Sequence, residues 1–407
     1  MRLDIESLAG GGRGVARAEG KVWFVAGALP GEVVEAEPER QRAGIVEARL
    51  TGLVLTSPWR EPSPCPVAPV CGGCDLAHLR RESAAEVLRA LAVGALRHAS
   101  AELTEMVKGA AVTVSPMGWR LRARLHWDSR RGILGFYGAH SRRTVEIDDC
   151  RVVSPLLLHT LPSLGPTLAA AQVRDGDLDW VEDLAATRAV AGWRGAPAEL
   201  PRVEGLAGLH PLDAEGRVVA GGWGQTGVTM ALPVCLWVPV GAFFQGNRHL
   251  VPRLFARVGE LVRDLGGDTL VDLYGGVGFL AAAARHAGAH MVTVVEPNRT
   301  AALAAAGNLP GATIVTSTAE AYLARGPLGE RSIAVLDAPR TGVSRQVAEA
   351  LCRQAPRAVI MLACDVARFG RDASRLIAGG YGLRSLELWD LFAGSHHVEV
   401  LALFAHV

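Results

Sequence analysis

Residues 269–278 read Thr269-Leu270-Val271-Asp272-Leu273-Tyr274-Gly275-Gly276-Val277-Gly278. A short apolar run ends on an acid, passes through a glycine-rich turn and enters an Ala-rich stretch from Phe279 onward. That is the punctuation of a buried strand feeding a helix. Small residues at such a turn let the backbone approach a ligand closely, and ligands of open α/β sheets sit beyond the carboxyl ends of the strands. Asp272 and Gly276 are therefore candidate ligand contacts. Glu296 ends the next apolar run, Met291–Val295, where an acid about 20 residues downstream can bind ribose hydroxyls. The same pattern fits a dinucleotide site. A glycine turn that serves packing alone is the plainer alternative.

Working outward, apolar runs at 312–315, 333–337, 358–362 and 398–404 alternate with Ala-rich helical stretches. Buried strands alternating with helices predict a doubly wound, Rossmann-like α/β sheet over 236–407. Two of these runs lead into reactive side chains. Asp337 opens Asp337-Ala338-Pro339-Arg340, and Cys364 stands in Leu362-Ala363-Cys364-Asp365. A cysteine at a strand's carboxyl end faces the ligand crevice, whereas an isolated mid-strand thiol is usually packing. His396-His397-Val398-Glu399 leads into the last strand, and a carboxylate there could act as a general base.

Toward the N-terminus the character changes. Residues 1–52 hold short strands, among them Val22–Val25 and Val33–Ala36, separated by Gly-rich turns. Such spacing predicts a small barrel. Arg2, Arg13, Arg17, Lys21, Arg40 and Arg42 give it a basic bias. Residues 53–235 form a central α+β segment. It begins with a connector stiffened by Pro58, Pro62, Pro64, Pro66 and Pro69, and a helix is expected from Ser83, with Ser83 and Glu86 as a capping box. Arg120, Arg122 and Arg124 alternate along a strand and share one face, which makes them candidate phosphate contacts. Residues 160–230 carry no interpretable motif.

Composition bounds the rest. A chain of 407 residues accommodates two or three domains. A formal net charge of +1 announces no global affinity for nucleic acid, so any RNA surface must come from local arginine clusters. Met1–Gly14 lacks the apolar core of a signal peptide. The apolar stretch 231–244 is broken by Pro233 and Pro239 and falls short of the about 20 residues that span a bilayer. A cytoplasmic monomer without membrane contact is expected. Seven cysteines, an odd number, do not suggest a disulfide framework. Cys65, Cys71 and Cys74 cluster on a Pro/Gly loop, and with the remote Cys150 they could form a four-thiolate site for zinc or an iron–sulfur cluster. Spacing does not choose between the two.

Taken together, these residues resemble the RNA 5-methyluridine methyltransferase family over nearly the whole chain. The strand-terminal Asp272 before Leu-x-Gly-Gly-x-Gly looks like an S-adenosylmethionine loop of a class I methyltransferase. Residues 1–52 look like a TRAM domain, an RNA-binding oligonucleotide-fold (OB-fold) barrel. Phe243-Phe244-Gln245-Gly246-Asn247 is similar to the family's Phe-Phe-Gln-x-Asn. The resemblance implies that Gln245, Tyr274, Glu296 and Asp337 hold S-adenosylmethionine. It implies too that Cys65, Cys71, Cys74 and Cys150 ligate a [4Fe-4S] cluster, that Cys364 is the nucleophile and that Glu399 is the base. The expected reaction is methyl transfer to C5 of a uridine in tRNA or rRNA through a covalent cysteine–C6 adduct. Ala-Cys-Asp-Val stands where the family usually has Ser-Cys-Asn-Pro, Ala338 replaces a proline, and Phe279 replaces a small polar residue. Three rivals are weighed. An RNA 5-methylcytosine methyltransferase would usually carry a second cysteine where Arg340 stands. A radical-type enzyme would show Cys-x3-Cys-x2-Cys. A non-catalytic RNA-binding protein with a structural metal would lack methyl transfer.

Overall fold

The computed structural model describes residues 1–97, 99, 101–196 and 199–406. Its largest sheet has eight strands. In spatial order they are Thr313–Val315, Met291–Val295, Thr269–Asp272, Ser332–Ala338, Ala358–Ala363, Glu399–His406, Tyr381–Trp389 and Ala111–Thr113. The first five run parallel. Glu399–His406 turns antiparallel against Ala358–Ala363 and pairs antiparallel with Tyr381–Trp389. Strands covered on both faces read as continuous apolar runs, and every residue of Ala358–Ala363 is buried. One face packs on helices Ala84–Ala95, Arg345–Gln354 and Val366–Ala378. The other packs on Val251–Asp264, Phe279–His286 and Arg299–Asn308, with the hairpin Gly227–Ala231 and Cys235–Pro239. Strand order reverses between Thr269–Asp272 and Ser332–Ala338, the switch point at which such sheets bind ligands.

Two other sheets precede it. Six strands between Arg2 and Leu55 enclose a small core of Leu3, Val25, Val34, Ala36 and Val46. Seven strands between Arg122 and Gly224 form the second. Its core is rich in tryptophan, with Trp119, Trp127, Trp180 and Trp193 against helix Pro155–Ala170. The motif-free stretch 160–230 supplies much of that sheet. The helix expected near residue 83 is present as Ala84–Ala95, but Ser83 makes no capping hydrogen bond: it ends a 3₁₀ turn, Arg81–Ser83, and its own backbone is helical. The capping box is therefore not formed. Ala111–Thr113 joins the far edge of the large sheet, parallel to Tyr381–Trp389. Among the described residues no helix is long and apolar enough to cross a membrane.

Candidate active site

The turn after Thr269–Asp272 is built by its glycines. Gly276 has φ +53 and Gly278, which caps helix Phe279–His286, has φ +88; both lie in the left-handed region that glycine enters without a side-chain penalty. A Cβ on Gly275 would stand 2.3 Å from Val294 Cγ1. The freed Gly276 N–H donates to Glu296 Oε2 (2.9 Å), and Asn298 N donates to Glu296 Oε1 (2.7 Å). Glu296 thus ties the turn to the end of the neighbouring strand. The pocket above is lined by Phe243, Phe244, Gln245, Asp272, Tyr274, Gly276, Phe279 and Asp337. Phe279 packs edge-on to Phe244 at 5.3 Å and forms an aromatic wall.

The electrostatics of this pocket are one-sided. Burial, and then the neighbouring Asp337, push the Asp272 carboxyl up to about 8. Burial pushes Asp337 up to about 7 although Gln245 Nε2 donates to its Oδ2 (2.8 Å). Burial also raises Glu296. Asp272 Oδ1 is buried with no hydrogen-bond partner, and a buried polar atom left unpaired is costly. Three crowded carboxyls and an orphaned acceptor suit a cationic ligand that brings donors. They do not suit the pyrophosphate of a dinucleotide, the alternative left open by the glycine pattern.

Cys364 and Glu399 meet a few residues away. Ala363 pairs with Val400 across the antiparallel ladder. Cys364 lies just beyond its strand and Glu399 opens the last strand, each one residue past that pair and close enough for the Glu399 charge to bear on the thiol. Ala338 pairs with Ala363 on the other side, which sets Asp337 and Arg340 at the same end of the sheet. Burial, and then Glu399, push the Cys364 thiol up to about 11, and Arg340 works against that rise. Burial raises Glu399 well above the usual carboxylate range, with Asp337 adding to it and Arg340 again opposing. Asp365 caps helix Val366–Ala378 by accepting from Arg368 N (2.9 Å), so an aspartate does local structural work beside the thiol.

The arginine stripe proves to be largely structural. Arg122 Nη1 donates to the Phe244 carbonyl (3.0 Å) and Nη2 to that of Ala242 (2.6 Å), while the guanidinium lies 5.7 Å from the Phe243 ring. It clamps the segment that carries Gln245. Arg124 is bound by Asp179 through two hydrogen bonds. Arg120 lies over Trp119 and Phe136, close enough to Cys74, Cys150 and Cys71 to feel their charge. Arg122 spends its donors on carbonyls and Arg120 is buried against aromatic rings, so the expectation that these two contact RNA is corrected, whereas Arg124 keeps a half-exposed side chain beside Asp179. At the other end of the clamped segment, Asn247 Nδ2 donates to Leu391 O (3.1 Å), and Arg248 pairs with buried Glu182 (3.1 Å). Sequence reading missed Arg122 and Asn247 as anchors, because their partners are carbonyls that leave no sequence signal.

Cys65, Cys71, Cys74 and Cys150 line a single pocket with Met117, Phe136 and Val152. Cys71 forms a bridge to Gly138, and Gly73 N donates to Cys71 Sγ (3.4 Å). Burial pushes the Cys74 thiol up to about 12 and raises Cys71. The thiols are spread around the wall. Among the described residues, no group of three or more His, Cys, Asp or Glu side chains is gathered tightly enough for a metal ion.

Residues 1–51 match the TRAM domain family model. The chain is 33% identical to the 23S rRNA (uracil(1939)-C(5))-methyltransferase of Pseudomonas putida, over 99% of its own length and 93% of that protein's. It is 30% identical to an RNA methyltransferase of Corynebacterium efficiens, over 99% and 94%. In structure it is similar, with TM-score 0.79 over 100% of both chains, to the Pyrococcus abyssi tRNA (uracil-54, C5)-methyltransferase solved with S-adenosyl-L-homocysteine. At 21% identity that last likeness bears on the fold. Identity at this level over the full length places the chain in the family of S-adenosylmethionine-dependent RNA (uracil-C5)-methyltransferases.

Proposed function

We propose that this enzyme methylates C5 of a uridine in large-subunit rRNA through a covalent adduct on Cys364, with Glu399 as the base. The observation that carries the reading is that the ladder pairing Ala363 with Val400 ends one residue short of Cys364 and Glu399, both of which feel the charge of Asp337, a residue of the switch-point pocket wall. Large-subunit rRNA is favoured over tRNA because the relatives at about a third identity bear the rRNA name. The residues present fit S-adenosylmethionine: Asp272 and Asp337 would meet its positive charges, Glu296 its ribose, Gln245 and Tyr274 its flanks. When bound, that cofactor supplies an electrophilic methyl group.

Uracil C5 is a weak nucleophile. Cys364, its thiol proton released to solvent and its thiolate favoured by Arg340, bonds to C6 and saturates the 5,6 double bond, so that C5 gains the electron density to take the methyl group, whose bond to the sulfonium sulfur would break with the electron pair left on that sulfur. Glu399 then takes the C5 proton, the S–C6 bond breaks with its electron pair returning to sulfur, and the aromatic base is restored. Arg340 assists both steps, since its charge favours thiolate and carboxylate alike. The reacting base must leave its stack to reach this rim.

The four-cysteine pocket is proposed to hold a [4Fe-4S] cluster. Four thiols lining one cavity are the ligand number such a cluster takes. Thiols that burial keeps protonated would be deprotonated on ligation, and Arg120 would balance the anionic result. The domain division 1–52, 53–235 and 236–407 is retained as part of the proposal, with RNA contacts assigned to the TRAM unit.

The test is 5-methyluridine mapping after incubation with labelled cofactor and either 23S rRNA or tRNA transcripts. Cys364→Ala should abolish product while cofactor binding by calorimetry stays unchanged, and Glu399→Gln should accumulate a protein–RNA adduct on denaturing gels. Label found on cytosine would turn the assignment to the 5-methylcytosine rival. Normal turnover by Cys364→Ala would end the covalent mechanism.

A further inference from the structure

Glu399 opens its strand, and the residues before it, 390–398, form the loop between Trp389 and Glu399, which pair across the hairpin. A loop of this length has no ladder of its own to hold it, and fixing it costs conformational entropy. It is held by side chains from elsewhere. Asn247 Nδ2 donates to Leu391 O, and Trp119 Nε1 donates to Ala393 O (3.0 Å). Arg81 pairs with Asp390, and Asp390 N donates to Thr113 O (2.9 Å), while residues 394 and 396 are held from the cysteine loop. Leu76 N donates to Gly394 O (3.0 Å). Gly394 has φ +88, and a Cβ there would lie 3.4 Å from Cys74 Sγ. Asp75 uses both carboxylate oxygens on one residue: Oδ1 accepts from His396 N (2.8 Å), and Oδ2 pairs with His396 Nδ1. The His396 ring lies against that of His397, centroids 4.2 Å apart, and His397 meets Phe392 at 5.7 Å. Of these ties, the one from Asp75 is nearest along the chain to Glu399.

We propose that Asp75 is a positioning residue for methyl transfer: by grasping His396 through both the backbone and the ring, it fixes Glu399 beside Cys364. The cysteine loop thereby sets the geometry of proton abstraction as well as holding its own pocket. This rests on the assignment of Cys364 and Glu399 made above. Asp75 lines neither the switch-point pocket nor the four-cysteine pocket, and its loss should bear on one step. Attack and methylation use Cys364 and the pocket, whereas release of the adduct needs Glu399 within reach of the C5 proton. Removing the carboxylate should slow release without weakening cofactor binding.

The test is single-turnover kinetics on the full-length, iron-loaded enzyme with the rRNA transcript. Adduct and 5-methyluridine are followed together, alongside iron and sulfide content and cofactor affinity. Asp75→Ala should slow adduct release roughly tenfold, the scale of losing a hydrogen bond to a charged group, so that adduct accumulates as in Glu399→Gln. Asp75→Asn keeps an acceptor for His396 N–H and should stay within about threefold of wild type. His396→Ala, which leaves the cysteine loop untouched, should slow release as well, and adding it to Asp75→Ala should cost less than the sum of the two. Wild-type release by both Asp75→Ala and His396→Ala, with iron and cofactor affinity normal, overturns the proposal. So does parallel loss of iron, cofactor affinity and activity in Asp75→Asn, which would mark a folding role. If Glu399→Gln itself traps no adduct, the assignment of the base fails first and takes this inference with it.

Discussion

At the residue scale the site is an arrangement of carboxyls whose ionisation burial opposes and a nearby positive charge favours. Asp272 near 8 and Asp337 near 7 stand above the ordinary carboxyl value of about 4, and burial raises Glu399 well above it too. A raised folded-state value means that the stability these groups contribute is complete below about pH 4 and is lost as pH rises through about 7 to 8. A cation in the pocket offsets that loss. S-adenosylmethionine should therefore raise the melting temperature more at pH 8 than at pH 6. S-adenosylhomocysteine, which lacks the sulfonium charge, should show a smaller increase between the two. Differential scanning fluorimetry with both ligands decides it: an equal stabilisation at both pH values would mean that the carboxyls are already ionised in the free protein. Asp272, Glu296 and Asp337 were legible in the sequence because each ends an apolar strand run, and strand ends converge at a switch point. Their mutual repulsion was not legible, since it depends on distances between strands that pair out of chain order.

At the element scale the segment 242–248 is a short connection held at both ends, by Arg122 on one side and by Asn247 and Arg248 on the other. Phe-Phe-Gln-x-Asn was recognisable as a unit, but its anchors were not, because a carbonyl acceptor can be any residue. Arg120 and Arg122 were misread for the same reason. Period-two alternation identifies a shared face but not whether that face meets solvent or another chain segment. Arg122, squeezed by burial down to about 10, keeps its charge at neutral pH and directs it at two carbonyls. Arg122→Met should leave those carbonyls buried and unpaired and let Gln245 drift from Asp337. Cofactor affinity should fall roughly tenfold, with single-turnover methylation at saturating cofactor little altered. Calorimetry and rapid-quench measurements separate the two effects. A fall in the chemical step at unchanged affinity would show that Arg122 acts on RNA instead.

At the scale of the whole molecule, the cysteine loop is where the sheets are joined. Its thiols share a pocket with Cys150, which is buried in the tryptophan-rich core beside the central sheet, and its next residues grip the loop before Glu399. The local Cys-x5-Cys-x2-Cys pattern was readable at once. The contact with residues 394–396 was not, because it spans more than three hundred positions of chain. Metal ligation in small folds contributes binding energy directly to folding. Here it would stabilise a junction more than a core, since the α/β sheet has its own two-faced packing. Cys150→Ser should give iron-poor protein with weakened RNA binding, whereas S-adenosylmethionine affinity, which depends on the switch-point pocket, should remain within about threefold of wild type. Protein purified without oxygen would be analysed for iron and acid-labile sulfide, and its affinities for cofactor and RNA measured separately. Stoichiometric zinc with no sulfide would replace the cluster by an ion and leave the methyltransferase site standing. A matched collapse of cofactor binding in Cys150→Ser would instead show that the junction supports the α/β sheet itself.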